Sequence, residues 1–139
     1  MDVFSKEKRS EVMSRIKGRD TKLEVKVRSR LFENGYRFRK NDKRYPGKPD
    51  IFLPKYKTVI QINGCFWHGH KKCKYFVVPK TRKEFWINKI EGNRRNDKKN
   101  KVALKKLGFS IITLWECELK KDFDFYISTI TDHLNKVLK

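Results

Sequence analysis

Leu23, Val27 and Leu31 recur every fourth residue. That spacing puts all three on one face of a helix. Asp20 or Thr21 can cap its start, and ENGYRF, with Gly35 in the C-cap region, ends it. Tyr36–Lys40 then reads as a strand. RYPGKPDIFLP reads as a turn running into a second strand, and KTVIQING as a third. Further on, Thr81 opens a long polar helix that reaches about Leu107, and Gly108 stops it. GFSIITLWE has the apolar run of a buried strand, and FDFYISTITDHLNKVL the period of a closing amphipathic helix. With a weaker helical pair at Val12 and Ile16, the order is α-α-β-β-β-α-β-α. It predicts an α/β domain with a central mixed sheet flanked by helices.

At 139 residues the chain fits one such domain. Its division is a basic N-terminal arm or helix over residues 1–20 and a globular domain over 21–139. Charge changes the picture most. Thirty-six Lys and Arg against 16 acids give a net charge of +20. A fold does not need that imbalance and repels itself because of it, whereas a polyanion relieves it, so nucleic acid is the expected partner. On charge alone the plainer reading is a basic ribosomal or generic RNA-binding protein rather than an enzyme acting on nucleic acid. The segment SKEKRSEVMSRIKGRD is either an arm that orders on DNA or a frayed terminus. No stretch has the apolar core of a targeting signal or the length of a membrane span, so no membrane role and a cytoplasmic location are expected. Three cysteines, an odd number in a reducing compartment, favour metal binding over disulfides.

The stretch NGCFWHGHKKC holds Cys65, His68, His70 and Cys73, and Cys117 ends the ITLWEC strand. A structural zinc takes four Cys or His ligands, and here there are five candidates. If all three cysteines bind, one histidine is left for chemistry. His70, a short hop from Cys73, is assigned to zinc and His68 to catalysis, although spacing alone leaves the two interchangeable. The alternative is one zinc site with an unused exposed histidine. Such a zinc would staple the loop to the strand after Gly108.

Asp50 starts an apolar strand directly after a proline, with Lys48 and Arg44 nearby. Mg²⁺ prefers oxygen ligands, and phosphodiester cleavage needs charge neutralised at the phosphate. An Asp in a turn after Pro is also an ordinary structural feature. In nucleases of the PD-(D/E)xK superfamily the next strand carries an acid, any residue, then Lys. Here that strand reads VIQINGC and has neither. A neighbouring group must replace the base if Asp50 is catalytic. His68 can take a proton from water near neutral pH.

Together GRDTKLE, PGKPDIFLP, NGCFWHGHKKC, the KTRKEFW–NKI–GN segment and LGFSIITLWECEL resemble the Vsr family, the very-short-patch-repair endonucleases. The likeness runs from about Met13 to Leu119, with the motifs in family order. It implies a restriction-endonuclease-like fold of the PD-(D/E)xK type, with one or two catalytic Mg²⁺ ions and one structural Zn²⁺. It also implies a strand-specific nick on the 5′ side of the T in a T:G mismatch left by deaminated 5-methylcytosine, giving a 5′-phosphate and a 3′-hydroxyl. By that resemblance Asp50 holds Mg²⁺, His68 is the general base, and Glu24 assists through water or metal. Cys65, His70, Cys73 and Cys117 form the zinc set. Phe66, Trp67 and Trp86 wedge beside the mismatch, and Lys89 and Asn93 read base edges.

Where the family pattern has Thr and His, this chain has Ile62 and Asn63. The resemblance implies that Ile62 still offers its backbone carbonyl to Mg²⁺, and that Asn63 removes a titratable group near the phosphate. The expected partners are mismatched duplex DNA and mismatch-repair proteins, for a nucleoid-associated monomer. Read without the family, Glu24 would pair with Arg28 at i,i+4, and Trp86 would suit a core. KIEGNRRNDKKNKVALKK would track phosphates, with Lys98, Lys99 and Lys101 on a solvated face. A broader nickase of the same fold, or a zinc-stabilised DNA binder without catalysis, remain the alternatives.

Overall fold

The computed structural model describes residues 21–74 and 76–137. The predicted N-terminal arm, with Val12 and Ile16, lies outside the described residues. Helix α1 spans Lys22–Glu33, and Thr21 caps it by accepting a hydrogen bond from the Glu24 N–H at 3.2 Å, while Asp20 lies outside the described residues. Its apolar face buries Val27 and Leu31 completely.

Four strands follow: β1 (Arg39–Lys40), β2 (Ile51–Leu53), β3 (Thr58–Asn63) and β4 (Ser110–Trp115). They lie in the order β1-β2-β3-β4, antiparallel except for the parallel β3–β4 pair. A parallel neighbour needs a crossover. The 24-residue helix α2 (Lys83–Lys106) supplies it. A short helix α3 (Glu116–Lys121) and the closing helix α4 (Phe123–Val137) complete the chain.

The sheet is covered on both faces. Val27 and Leu31 of α1, with Ile127, Ile130 and Leu134 of α4, pack on Ile51, Leu53, Ile60 and Ile62. On the other face Leu104 of α2 packs on Phe52 and Val59, with Tyr45 and Phe109 beside them. All three residues of β2 are therefore buried, and Asp50 is carried at the end of a strand packed on both faces.

The structure corrects the sequence reading in four places. The strand expected over residues 36–40 shrinks to Arg39–Lys40, because β2 offers only Phe52 and Ile51 as partners. Tyr36 instead enters the core and donates its hydroxyl to Asn135 Oδ1 at 3.0 Å. The long helix begins at Lys83, after Arg82 takes a left-handed turn with φ 57°. The strand expected to be buried, β4, is an edge strand with only Leu114 fully covered. It ends at Trp115, whose N–H donates to Glu118 Oε1 at 3.1 Å and starts α3. Cys117 is thus in a helix rather than at a strand end.

Candidate active site and metal centre

Cys65, His70, Cys73 and Cys117 converge so that their ligand atoms all lie within 4.8 Å of one another. His70 Nδ1 is 3.6 Å from Cys65 Sγ and 3.4 Å from Cys117 Sγ. Zinc–sulfur and zinc–nitrogen bonds of ordinary length give a tetrahedral S···N edge of about 3.6 Å. The donor set and its spacing therefore fit zinc. Burial pushes the Cys65 thiol up to about 12 and also raises that of Cys117. A cation at the cluster reverses that preference, since a coordinating thiol loses its proton. The Trp115 ring stacks on His70 at 4.0 Å, nearly parallel, and fixes the imidazole plane.

Gly69 separates the two histidines. It has φ +59°, and a Cβ there would come within 2.5 Å of the Ile90 and Arg94 side chains. Only glycine fits a left-handed turn pressed this tightly against α2. Arg94 Nε donates to the Gly69 carbonyl at 3.0 Å and holds the turn. His70 then joins the cysteines, while His68 enters a cleft of about 670 Å³ between α1, the end of the sheet and α2.

Asp50, Glu24 and His68 all line that cleft, with Ile62, Asn63 and Gly64 from the end of β3. Asp50 Oδ2 accepts a 2.6 Å hydrogen bond from the Ile62 N–H. Burial pushes the Asp50 carboxyl up to about 7 against the pull of that bond, and the Glu24 charge raises it further. His68 and Arg28 pull the other way, and a cation in the cleft would favour the charged carboxylate, so Asp50 fits a Mg²⁺ ligand. Glu24 also makes the i,i+4 pair with Arg28, at 3.6 Å with both side chains buried. His68 Nδ1 lies 2.6 Å from Asp97 Oδ2.

Asp97 is the residue that sequence reasoning missed. It shares an α2 stripe with Lys89, Asn93, Asn100 and Lys101, all lining the cleft. One acid at i+8 from Lys89 in a helix of lysines was the available signal. Lys101, expected on a solvated face, belongs to this stripe, whereas Lys98 and Lys99 are exposed.

Comparison with known proteins decides what this cleft belongs to. A family model described as DNA mismatch endonuclease Vsr matches residues 1–74. The DNA mismatch endonuclease Vsr of Escherichia coli K12 is 38% identical over 97% of this chain and 86% of its own length. The chain belongs to the Vsr family. It is therefore a DNA endonuclease of mismatch repair. Two type II nicking enzymes are also similar. V.NmeAIP of Neisseria meningitidis serogroup A is 55% identical over 86% of this chain and 84% of its own. V.XorIIP of Xanthomonas oryzae is 42% identical over 85% and 86%. No helix among the described residues is long and apolar enough to cross a membrane.

In this Vsr chain the aromatics form a cluster beside the cleft. Trp67 lies edge-on to Phe66 at 5.7 Å, and Trp86 approaches both, at 5.5 Å from Phe66 and 5.8 Å from Trp67. Phe85 is 44% exposed and packs on Trp86 at 5.1 Å, under the Arg82 guanidinium. Phe66, Trp67 and Trp86 are all half-buried and lie outside both hydrophobic cores of the domain. Asn93, expected to read bases, donates its amide to the Trp67 carbonyl at 2.8 Å. It thereby ties the aromatic loop to α2. Lys89 is exposed at the cleft edge.

Proposed function

We propose that this Vsr-family endonuclease nicks one strand of duplex DNA at a T:G mismatch, on the 5′ side of the mismatched T. The fold is then of the restriction-endonuclease-like PD-(D/E)xK type. The observation that carries this reading is the meeting of Asp50, His68 and Asp97 in one cleft next to a half-buried aromatic cluster that belongs to neither hydrophobic core. Hydrolytic groups and an intercalating surface on one wall suit an enzyme that must both find a distorted step and cut beside it. Unstacking costs a few kcal/mol per step and is least costly at a mispair. Stacking of about 1–3 kcal/mol per base on an aromatic offsets that cost.

In the proposed mechanism Asp97 accepts the Nδ1–H of His68 and so fixes the tautomer that leaves Nε2 unprotonated. His68 Nε2 then takes a proton from the attacking water, and Asp97 acts as its positioning residue. Asp50, with the Ile62 carbonyl and Glu24 nearby, would hold Mg²⁺, which supplies charge neutralisation at the phosphate. Cys65, His70, Cys73 and Cys117 would hold the structural zinc. Phe66, Trp67 and Trp86 enter the stack, and Lys89 grips the strand.

The test is a labelled duplex with a single T:G pair, its T:A control, added Mg²⁺, and the wild type beside His68→Ala. A nick confined to the T:G duplex and lost in the variant is expected. Equal cutting of both duplexes would point to a broader nickase, and no cutting to a DNA-binding protein.

A further inference from the structure

The end of β3 lacks the cation that its superfamily places there, since Gly64 occupies the position two residues beyond Ile62. Lysines from other elements line the cleft instead, Lys22, Lys48, Lys89, Lys101 and Lys120. Lys48 is the one nearest Asp50 in the chain, two residues before it. It sits in the β1–β2 loop with φ +45°, between Gly47 at φ +77° and Pro49. A left-handed conformation strains a non-glycine residue, because its Cβ crowds the following carbonyl oxygen. A following proline adds its own bias toward extended backbone. Such strain persists only where the surroundings impose it.

Those surroundings are rigid. The Lys48 N–H donates to the Tyr45 carbonyl at 3.1 Å. The Tyr45 ring packs on Phe52 at 4.8 Å and on Phe109 at 5.3 Å. A Cβ on Gly47 would stand 3.0 Å from Asn100 Nδ2, so the turn is pressed against α2. Two basic side chains of this loop have different fates. Arg44 is spent on Asp42, through contacts of 3.0 and 2.8 Å. No ion pair or hydrogen bond engages the Lys48 ammonium among the described residues.

We infer that Lys48 grips a phosphate of the cleaved strand at the Asp50 end of the cleft, supplying from the β1–β2 loop the positive charge that β3 lacks. The inference rests on the nuclease reading above, but its test does not depend on which mismatch is cut. A phosphate contact releases one counterion, so its loss lowers the salt slope of duplex binding by about 0.9.

Three variants carry the test. Lys48→Gly removes the ammonium and relieves the left-handed strain. Lys48→Gln removes only the charge, and Lys48→Arg keeps it. Lys48→Gly is expected to melt higher than wild type, to lose about 0.9 from the salt slope, and to nick at least roughly tenfold more slowly. Lys48→Gln is expected to lose slope and rate without the thermal gain, and Lys48→Arg to retain both. An unchanged slope with a wild-type nicking rate in Lys48→Gly would overturn the inference. If the wild type does not nick the T:G duplex, that result strikes the nuclease reading, and the salt slope alone decides for Lys48.

Discussion

His68 and Asp97 meet at 2.6 Å across a sequence separation of 29 residues. The loop that leaves β3 and the helix that leads back to β4 thus share one proton site. In the proposed mechanism His68→Ala lowers single-turnover nicking by about 10²–10⁴-fold, the usual contribution of a positioned general base. Asp97→Asn, which keeps the shape but presents an amide to Nδ1, is expected to lose rate with little change in duplex affinity. The double variant should be no slower than His68→Ala, because the two residues act as a unit. Additive losses in single-turnover assays would break the pairing.

The four-ligand cluster predicts one zinc per chain by elemental analysis. Cys73→Ala, or a strong chelator, is expected to lower the melting temperature sharply, because binding energy at a structural zinc is folding energy. Nicking should fall with it, and zinc added back to the chelated wild type should restore both. Full thermal stability after chelation would remove the cluster from the fold's energetics.

The aromatic cluster predicts a selective loss. Trp86→Ala is expected to weaken binding of a T:G duplex roughly 10–100-fold, corresponding to about 1–3 kcal/mol of stacking per base. Binding of a fully paired duplex should change much less, since it rests on phosphate contacts. Trp86 is half-buried outside the cores, so a collapse of the thermal unfolding transition would mean that it is packing instead. Fluorescence anisotropy with both duplexes gives the comparison.

The Asp42–Arg44 pair predicts a pH signature in stability. The hydrogen bond from the Arg44 side chain holds the Asp42 carboxyl down at about 2. In the unfolded chain an Asp titrates near 3.9. The folded state therefore prefers the carboxylate. The stability it adds is fully present above about 4 and drains away as pH falls through about 2. The difference in unfolding free energy between wild type and Asp42→Asn should be flat from about pH 6 to 5 and narrow below about 4. Urea titrations at each pH measure it. A difference that widens toward acid would reverse the sign.

Much of this was legible in residues whose chemistry is local. Leu23, Val27 and Leu31 announce α1 because helix burial repeats along the chain. Cys65, His70, Cys73 and Cys117 announce a metal because few other roles suit them. What stayed hidden depends on distance. The α3 helix begins inside an apolar run, and only the Glu118 cap shows where the strand stops. Asp97 is an ordinary acid until His68 is brought to it. The two histidines could not be told apart by spacing. Their separation is made by Gly69 against Ile90 and Arg94, a tertiary contact with no local pattern. Lys48 was visible as a basic residue near Asp50, but not as a cation held in a left-handed turn.

Helix α2 also carries a length scale. The stripe from Lys89 to Lys101 faces the cleft, and 12 residues of helix rise about 18 Å. A duplex lying along it advances about 3.4 Å per base pair, so the stripe spans about five. Sequence context beyond those base pairs would lie past the stretch of α2 that lines the cleft. On that geometry the helix would act as a ruler as well as a wall, setting the length of duplex its cleft-facing side chains could read.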